Sequence, residues 1–245
     1  MINWKVELSY IGKDFWGFQK QPGKRTVQGE LEKVLKLLFD EDIKVIGAGR
    51  TDAGVHALGQ VVNFKTKESK NFSCDKLYKV LNKLLPGDIK IKKVEIVDDN
   101  FHARYSAKRR WYIYVIYNNE EKNLFLRDYC WWINKPLDKD LLNLSANLFK
   151  GIHDFRNFCV IENYDNTNVE IYESFWYFKE DLLIYFVSAP FFLRKMVRFI
   201  VGSMVEVGLK KKELEDLEKY LKDRKEERFS SPAPASGLYL FKIDY

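Results

Sequence analysis

The chain has 245 residues, enough to bury a sizeable core in one large domain or two smaller ones. Hydrophobic residues make up 46% and charged residues 31%, an ordinary soluble globular composition. Three scattered cysteines, Cys74, Cys130 and Cys159, argue against a disulfide framework or a zinc site and fit a reducing cytosol. No apolar run approaches the length of a membrane-spanning helix, and Met1 to Lys5 leads straight into a strand pattern, so neither a span nor a signal peptide is expected. The net charge of +6 points weakly to a polyanionic partner.

Trp4, Val6, Leu8 and Tyr10 alternate with Lys5, Glu7 and Ser9, which predicts a half-buried strand. Ile11 to Arg25 is a loop holding Gly12, Gly17, Pro22 and Gly23. Thr26 can cap a helix whose inner face is Leu31, Val34, Leu35 and Leu38. Strand-like runs at Ile43–Ala48 and Gly59–Thr66 bracket a glycine-rich stretch, Gly47–Gly59. Asp75 can cap a second helix with Leu77, Val80, Leu81, Leu84 and Leu85 inward, ended by Pro86-Gly87. Ile89–Val97 is a strand whose alternation slips near Lys92-Lys93, predicting a bulge. Residues 1–100 thus read β-α-β-β-α-β, the ferredoxin-like split βαβ pattern.

Asp98 to Asn100 is a plausible break, so the expected division is 1–100 and 101–245. A strand then runs to Tyr117, a turn covers Asn118 to Asn123, and a short strand covers Tyr129 to Ile133. Asp138 caps a helix with Leu141, Leu142, Ser145, Leu148 and Phe149 inward. Val169–Phe178 and Leu182–Ser188 pair as a hairpin across Glu180-Asp181. Phe191 to Val207 reads as a buried helix, Glu213 to Arg224 as an amphipathic one, and Leu238, Leu240 and Ile243 as a final strand. The second half repeats strands and helices in an arrangement like the first. The two halves are expected to share one sheet or to pack face to face.

The glycine stretch invites a phosphate-loop reading, but Gly47-x-Gly49 lacks the third glycine of a dinucleotide fingerprint. No Gly-Lys-Ser/Thr follows, and the next element reads as a strand. Asp52 in such a loop is ordinarily a turn former. Arg50, two residues earlier, adds a second reading: a neighbouring guanidinium favours an ionised carboxylate, which can act as nucleophile or base. His56 has no second ligand at metal spacing and reads as a histidine bonded to local backbone.

Arg104, Lys108, Arg109 and Arg110 interleave with Phe101, Tyr105, Trp111, Tyr112 and Tyr114. That is either a charged edge or a groove that binds phosphates while rings stack on unpaired bases. On the strand, Arg110, Tyr112 and Tyr114 share one face, so Tyr112 can reach a site that Arg110 lines. In the 191–207 helix, Arg194 and Arg198 are spaced i,i+4 on one face and need a partner, for which Asp52 is a candidate.

Together these segments resemble the TruA family of tRNA pseudouridine synthases over essentially the whole chain. The family loop Gly-Arg-Thr-Asp-x-Gly-Val-His is present as Gly49 to His56. Gly17–Gln21, Thr26–Leu31, Leu85–Ile89, Phe101–Ala107, Met196–Arg198 and Gly237–Leu240 also correspond, in order. The resemblance implies an α+β pseudouridine synthase fold. Two ferredoxin-like halves would share a mostly antiparallel mixed sheet, with helices on one face and the active-site cleft between the halves. It implies Asp52 as the catalytic aspartate and Arg198 as the arginine that pairs with it. Tyr112 would stack on the target uracil, Leu238 would pack against the base pocket, and Arg50 would help open the tRNA stem, with Arg110 also on the substrate side. The implied reaction converts uridine to pseudouridine at positions 38–40 of the tRNA anticodon stem-loop, in a cytoplasmic homodimer, with no cofactor and no metal. The rivals are a non-catalytic RNA-binding module, against which stands the lack of an RNP-type Gly-Phe/Tyr-Gly-Phe segment, and a pseudouridine synthase acting at other RNA sites.

Overall fold

The computed structural model describes residues 1–67, 72–161, 166–223 and 227–245. The chain divides into two compact units, Met1–Arg110 with Tyr239–Tyr245, and Trp111–Leu238. Relative to the division expected at residue 100, ten further residues and most of the last strand join the first unit. The reason for the strand is its pairing, described next.

The first unit contains β1 (Ile2–Tyr10), α1 (Val27–Phe39), β2 (Ile46–Gly47), β3 (His56–Thr66), α2 (Cys74–Leu84) and β4 (Ile89–Val97). This is the β-α-β-β-α-β order read from the sequence. Strand β1 lies between β3 and β4, antiparallel to both. The expected bulge is present: Glu7 opposes Lys93 and Leu8 opposes Ile91, so Lys92 is the extra residue. The other edge of β3 is divided. Its Val62 and Asn63 pair with Gly47 and Ile46 of β2, while His56 and Ala57 pair in parallel with Tyr239 and Leu240 of the terminal strand (Leu238–Asp244).

Local chemistry starts and stops these helices as expected, with one change. The Thr26 hydroxyl accepts the Gly29 N–H at 3.2 Å and caps α1. Helix α2 is capped by Ser73, which accepts from Lys76 N–H; Asp75 sits in the first turn, where its charge favours the helix dipole. Leu31 and Leu35 of α1 and Leu81 of α2 enclose an apolar space with Val6, Val62 and Phe64 of the sheet. Each of these side chains is almost fully buried, which stabilises the unit by roughly 1.5–3 kcal/mol apiece.

The second unit contains most of β5 (Arg109–Asn118), then β6 (Trp131–Ile133), α3 (Lys139–Leu148), β7 (Gly151–Asp154), β8 (Asn168–Ile171), β9 (Glu173–Lys179), β10 (Leu182–Ala189), α4 (Met196–Gly208) and α5 (Leu214–Lys222). Strand β10 lies between β5 and β9, and β6 extends β5 in parallel. Asp138 caps α3 by accepting from Asp140 and Leu141 N–H. Those backbone bonds, Leu141 foremost, and Lys210 hold its carboxyl below the usual carboxylate range.

Three expectations change here. The single strand expected over Val169–Phe178 is two strands that break at Tyr172, because β8 pairs with β7 while β9 pairs with β10. The expected hairpin turn at Glu180-Asp181 is present, with Glu180 at φ 52°. The helix expected from Phe191 begins only at Met196, after Lys195 takes φ 61°. Arg194 therefore lies in a turn and does not share a helical face with Arg198. Helix α5 is amphipathic, with Leu217 and Leu221 buried, and its predicted end at Arg224 lies outside the described residues.

Candidate active site

The loop between β2 and β3 is held from below by three side chains. Arg110 is 8% exposed, and its guanidinium donates to the Ala48 carbonyl from Nε at 3.0 Å and from Nη2 at 2.9 Å. The Gln60 amide donates to the Gly49 carbonyl at 2.9 Å. The Tyr10 hydroxyl meets Thr51 Oγ1 at 2.7 Å, with both residues buried. These links thus fix Ala48, Gly49 and Thr51, on either side of Arg50. Arg50 projects outward, exposed, and Asp52 follows, half-buried.

A second segment closes over the loop from the side. Phe18 N–H donates to the Thr51 carbonyl at 3.1 Å, and Gly54 N–H donates to the Phe15 carbonyl at 3.3 Å. The approach leaves no room for side chains at two glycines. A Cβ on Gly12 would come within 2.0 Å of the Val55 oxygen, and one on Gly17, at φ 94°, within 2.7 Å of the Thr51 oxygen. The glycines of the 12–17 stretch are therefore required by close approach. Val55 N–H bonds back to the Asp52 carbonyl at 3.2 Å, and Gly54 takes φ 80°, which makes Asp52 the first residue of a tight turn.

His56 is buried and its Nδ1 accepts the Gly12 N–H at 3.1 Å. Its ring stacks on Tyr239 with centroids 4.7 Å apart. It therefore does bond to backbone, although the partner lies 44 residues away in sequence. Among the described residues there is no cluster of three or more histidine, cysteine or acidic side chains that could hold a metal.

In the second unit Tyr112 is 7% exposed, with its ring edge-on to Phe192 at 5.1 Å. Arg198 lies in the first turn of α4, half-buried. It exchanges bonds with Ala233: Nε donates to the Ala233 carbonyl at 2.6 Å, and Ala233 N–H donates to the Arg198 carbonyl at 2.9 Å. Leu238 follows Gly237, whose Cα packs so tightly on Tyr114 that a Cβ would lie 2.5 Å from the ring. The Tyr114 hydroxyl donates to the Pro234 carbonyl at 2.8 Å, so Tyr114 sets the path of the chain into buried Leu238. Of the six expected site residues, Arg50, Asp52 and Arg110 belong to the first unit, and Tyr112, Arg198 and Leu238 to the second.

Arg110, expected on the substrate side, has Nε and Nη2 bonded to the backbone carbonyls of Ala48 and Arg104. Tyr10 and Gln60 were missed as contributors to the site. Alternation marked Tyr10 as core, which it is, and nothing local to either residue announces which loop its polar tip will meet.

A sequence profile of a family described as tRNA pseudouridine synthase matches residues 8–106 and 145–245. A protein of Dictyoglomus turgidum named tRNA pseudouridine synthase A is 75% identical over 100% of both chains. Relatives of the same name from Geobacillus sp. and Aquifex aeolicus are 42% and 39% identical, covering 98% and 99% of this chain and 97% and 99% of their own. A solved dye-decolorizing protein from V. cholerae aligns over 87% of this chain and 88% of its own at 12% identity, with a TM-score of 0.21, too low to bear on the fold.

Proposed function

This chain belongs to the tRNA pseudouridine synthase family and is an isomerase that forms pseudouridine in tRNA; we propose that it acts on positions 38–40 of the anticodon stem-loop, with Asp52 as the essential catalytic residue. The reaction breaks the N1–C1′ bond, turns the uracil and joins C5 to C1′, releasing the C5 hydrogen as a proton. It is redox-neutral and consumes no co-substrate. The target uridine must leave its stack to be reached, which calls for a ring and an apolar wall at the site.

In this reading Asp52 carries the chemistry and Arg198 assists it. Tyr112 stacks on the uracil, Leu238 walls the base, and Arg50 engages the RNA. The protein works as a homodimer in the cytoplasm. The observation that carries the reading is the held backbone of residues 48–51, which fixes the position from which Asp52 emerges. A carboxylate on a preorganised loop needs no rearrangement to meet its substrate. Exposed Arg50 two residues earlier is suited to a phosphate backbone.

The reading is tested by incubating the protein with unmodified tRNA transcripts and mapping pseudouridine by chemical derivatisation and primer extension. Stops at positions 38–40 are expected. Stops confined to another part of the tRNA would reject the anticodon stem-loop assignment and leave the family activity intact.

A further inference from the structure

We infer that Arg110 is a positioning residue for the Asp52 loop and does not bind the RNA backbone. The inference rests on the reading of Asp52 as catalytic. It begins from the geometry of one guanidinium. Nε and Nη2 both donate to the Ala48 carbonyl, and Nη2 also donates to the Arg104 carbonyl at 2.6 Å. Two N–H groups of one planar guanidinium converge on a single carbonyl oxygen, which restrains the direction of that carbonyl as well as its position. Ala48 opens the loop after β2, four residues before Asp52, and its own N–H is bonded to the Val61 carbonyl at 2.8 Å. Both polar groups of its backbone are therefore committed.

The setting is apolar. Ala48, Val61 and Ala103 form one buried cluster, with Phe101, Ile243 and Tyr245 packed on it. The Tyr245 hydroxyl donates to the Ala103 carbonyl at 2.9 Å, one residue before the Arg104 carbonyl that Arg110 takes. Arg110 thereby joins the 103–104 turn to the root of the loop. A buried carbonyl that loses its donor is left unsatisfied, and the loop is the part free to shift in response. A lysine here has one ammonium and no planar fork, so it cannot orient the peptide as arginine does.

The test compares wild type, Arg110→Lys and Arg110→Met by tritium release for kcat and KM, and by filter binding of tRNA across a salt series. Asp52→Asn is run alongside; full turnover in that variant would reject the catalytic reading itself, whatever Arg110 does. The inference expects kcat to fall by about tenfold or more in both Arg110 variants, since small misplacements of a reacting group are costly. Kd is expected to change by less than about twofold, with the salt slope of log Kd unchanged. A slope reduced by about one in Arg110→Met, with kcat retained, would overturn it in favour of a phosphate contact. If Arg110→Met fails to fold, Arg110→Lys decides: a phosphate ligand would be restored by lysine, whereas the fork would not. Full wild-type kcat in Arg110→Lys overturns the inference.

Discussion

The hydroxyl of Tyr10, at the end of β1, lies 2.7 Å from Thr51 Oγ1, one residue before Asp52. A core strand and the Asp52 loop are thus joined by a buried bond. Burial pushes the Tyr10 phenol up to about 12, against the lowering effect of its bonds to Thr51 and Gln60. In the unfolded chain it titrates near 10.0. The folded pKa is the higher one, so the contribution is complete below pH 10 and is lost as pH rises toward 12. Tyr10→Phe should cost about 1–2 kcal/mol in urea denaturation at neutral pH. It should also flatten the fall in stability between pH 10 and 12. An alkaline profile identical to wild type would remove Tyr10 from that transition.

Gly17 tests the segment that closes over the loop, since it meets the residue directly before Asp52. Alanine there faces both a left-handed φ of 94° and a Thr51 oxygen 2.7 Å from its Cβ. Gly17→Ala is expected to lose about 1–3 kcal/mol and to lower kcat, because the displaced atom belongs to the residue before Asp52. Gly23→Ala is the control, since it shares a positive φ but meets nothing within 4 Å. Equal kinetic losses in the two variants would contradict the close-approach argument.

Tyr112 is assigned a stacking role that needs the ring and not the hydroxyl. Tyr112→Phe should keep tRNA affinity in a binding titration. Tyr112→Ala should weaken it by about 1–3 kcal/mol, the usual worth of one base stacked on one ring. A large loss of affinity in the phenylalanine variant would refute the assignment.

Arg198→Ala removes the donor to the Ala233 carbonyl but leaves the backbone bond from Ala233 in place. Turnover should drop by roughly 10²-fold or more, with tRNA affinity nearly unchanged, if the guanidinium acts in the chemical step. Unchanged kcat would take Arg198 out of the site.

Much of the first unit was legible because its signals are local. Period-2 alternation located β1, Thr26 announced α1, and the slip at Lys92-Lys93 announced a bulge that the pairing of Glu7 and Leu8 bears out. The second unit resisted at places where distant pairing decides. Nothing in residues 169–178 says that 169–171 will pair with 151–153 and that the strand from Glu173 onward will pair with β10. The start of α4 was misplaced for another reason. The apolar run from Phe191 continues the helical pattern, and only the left-handed turn at Lys195 interrupts it.

The site was legible in part. The glycines, Arg50 and Asp52 stand out within one stretch of thirteen residues. The tethers do not, because Tyr10, Gln60 and Arg110 come from three different strands and look like core, core and surface charge. A buried arginine with its charge turned on a backbone carbonyl leaves the same trace in sequence as one that faces RNA.

The central claim is that Asp52 carries the isomerisation. Tritium release from [5-³H]uridine-labelled tRNA, compared between wild type and Asp52→Asn, tests it most directly. The asparagine is nearly isosteric and keeps the loop's shape, so the variant should bind tRNA as wild type does and release no tritium above background. Release at the wild-type rate by Asp52→Asn would contradict the claim.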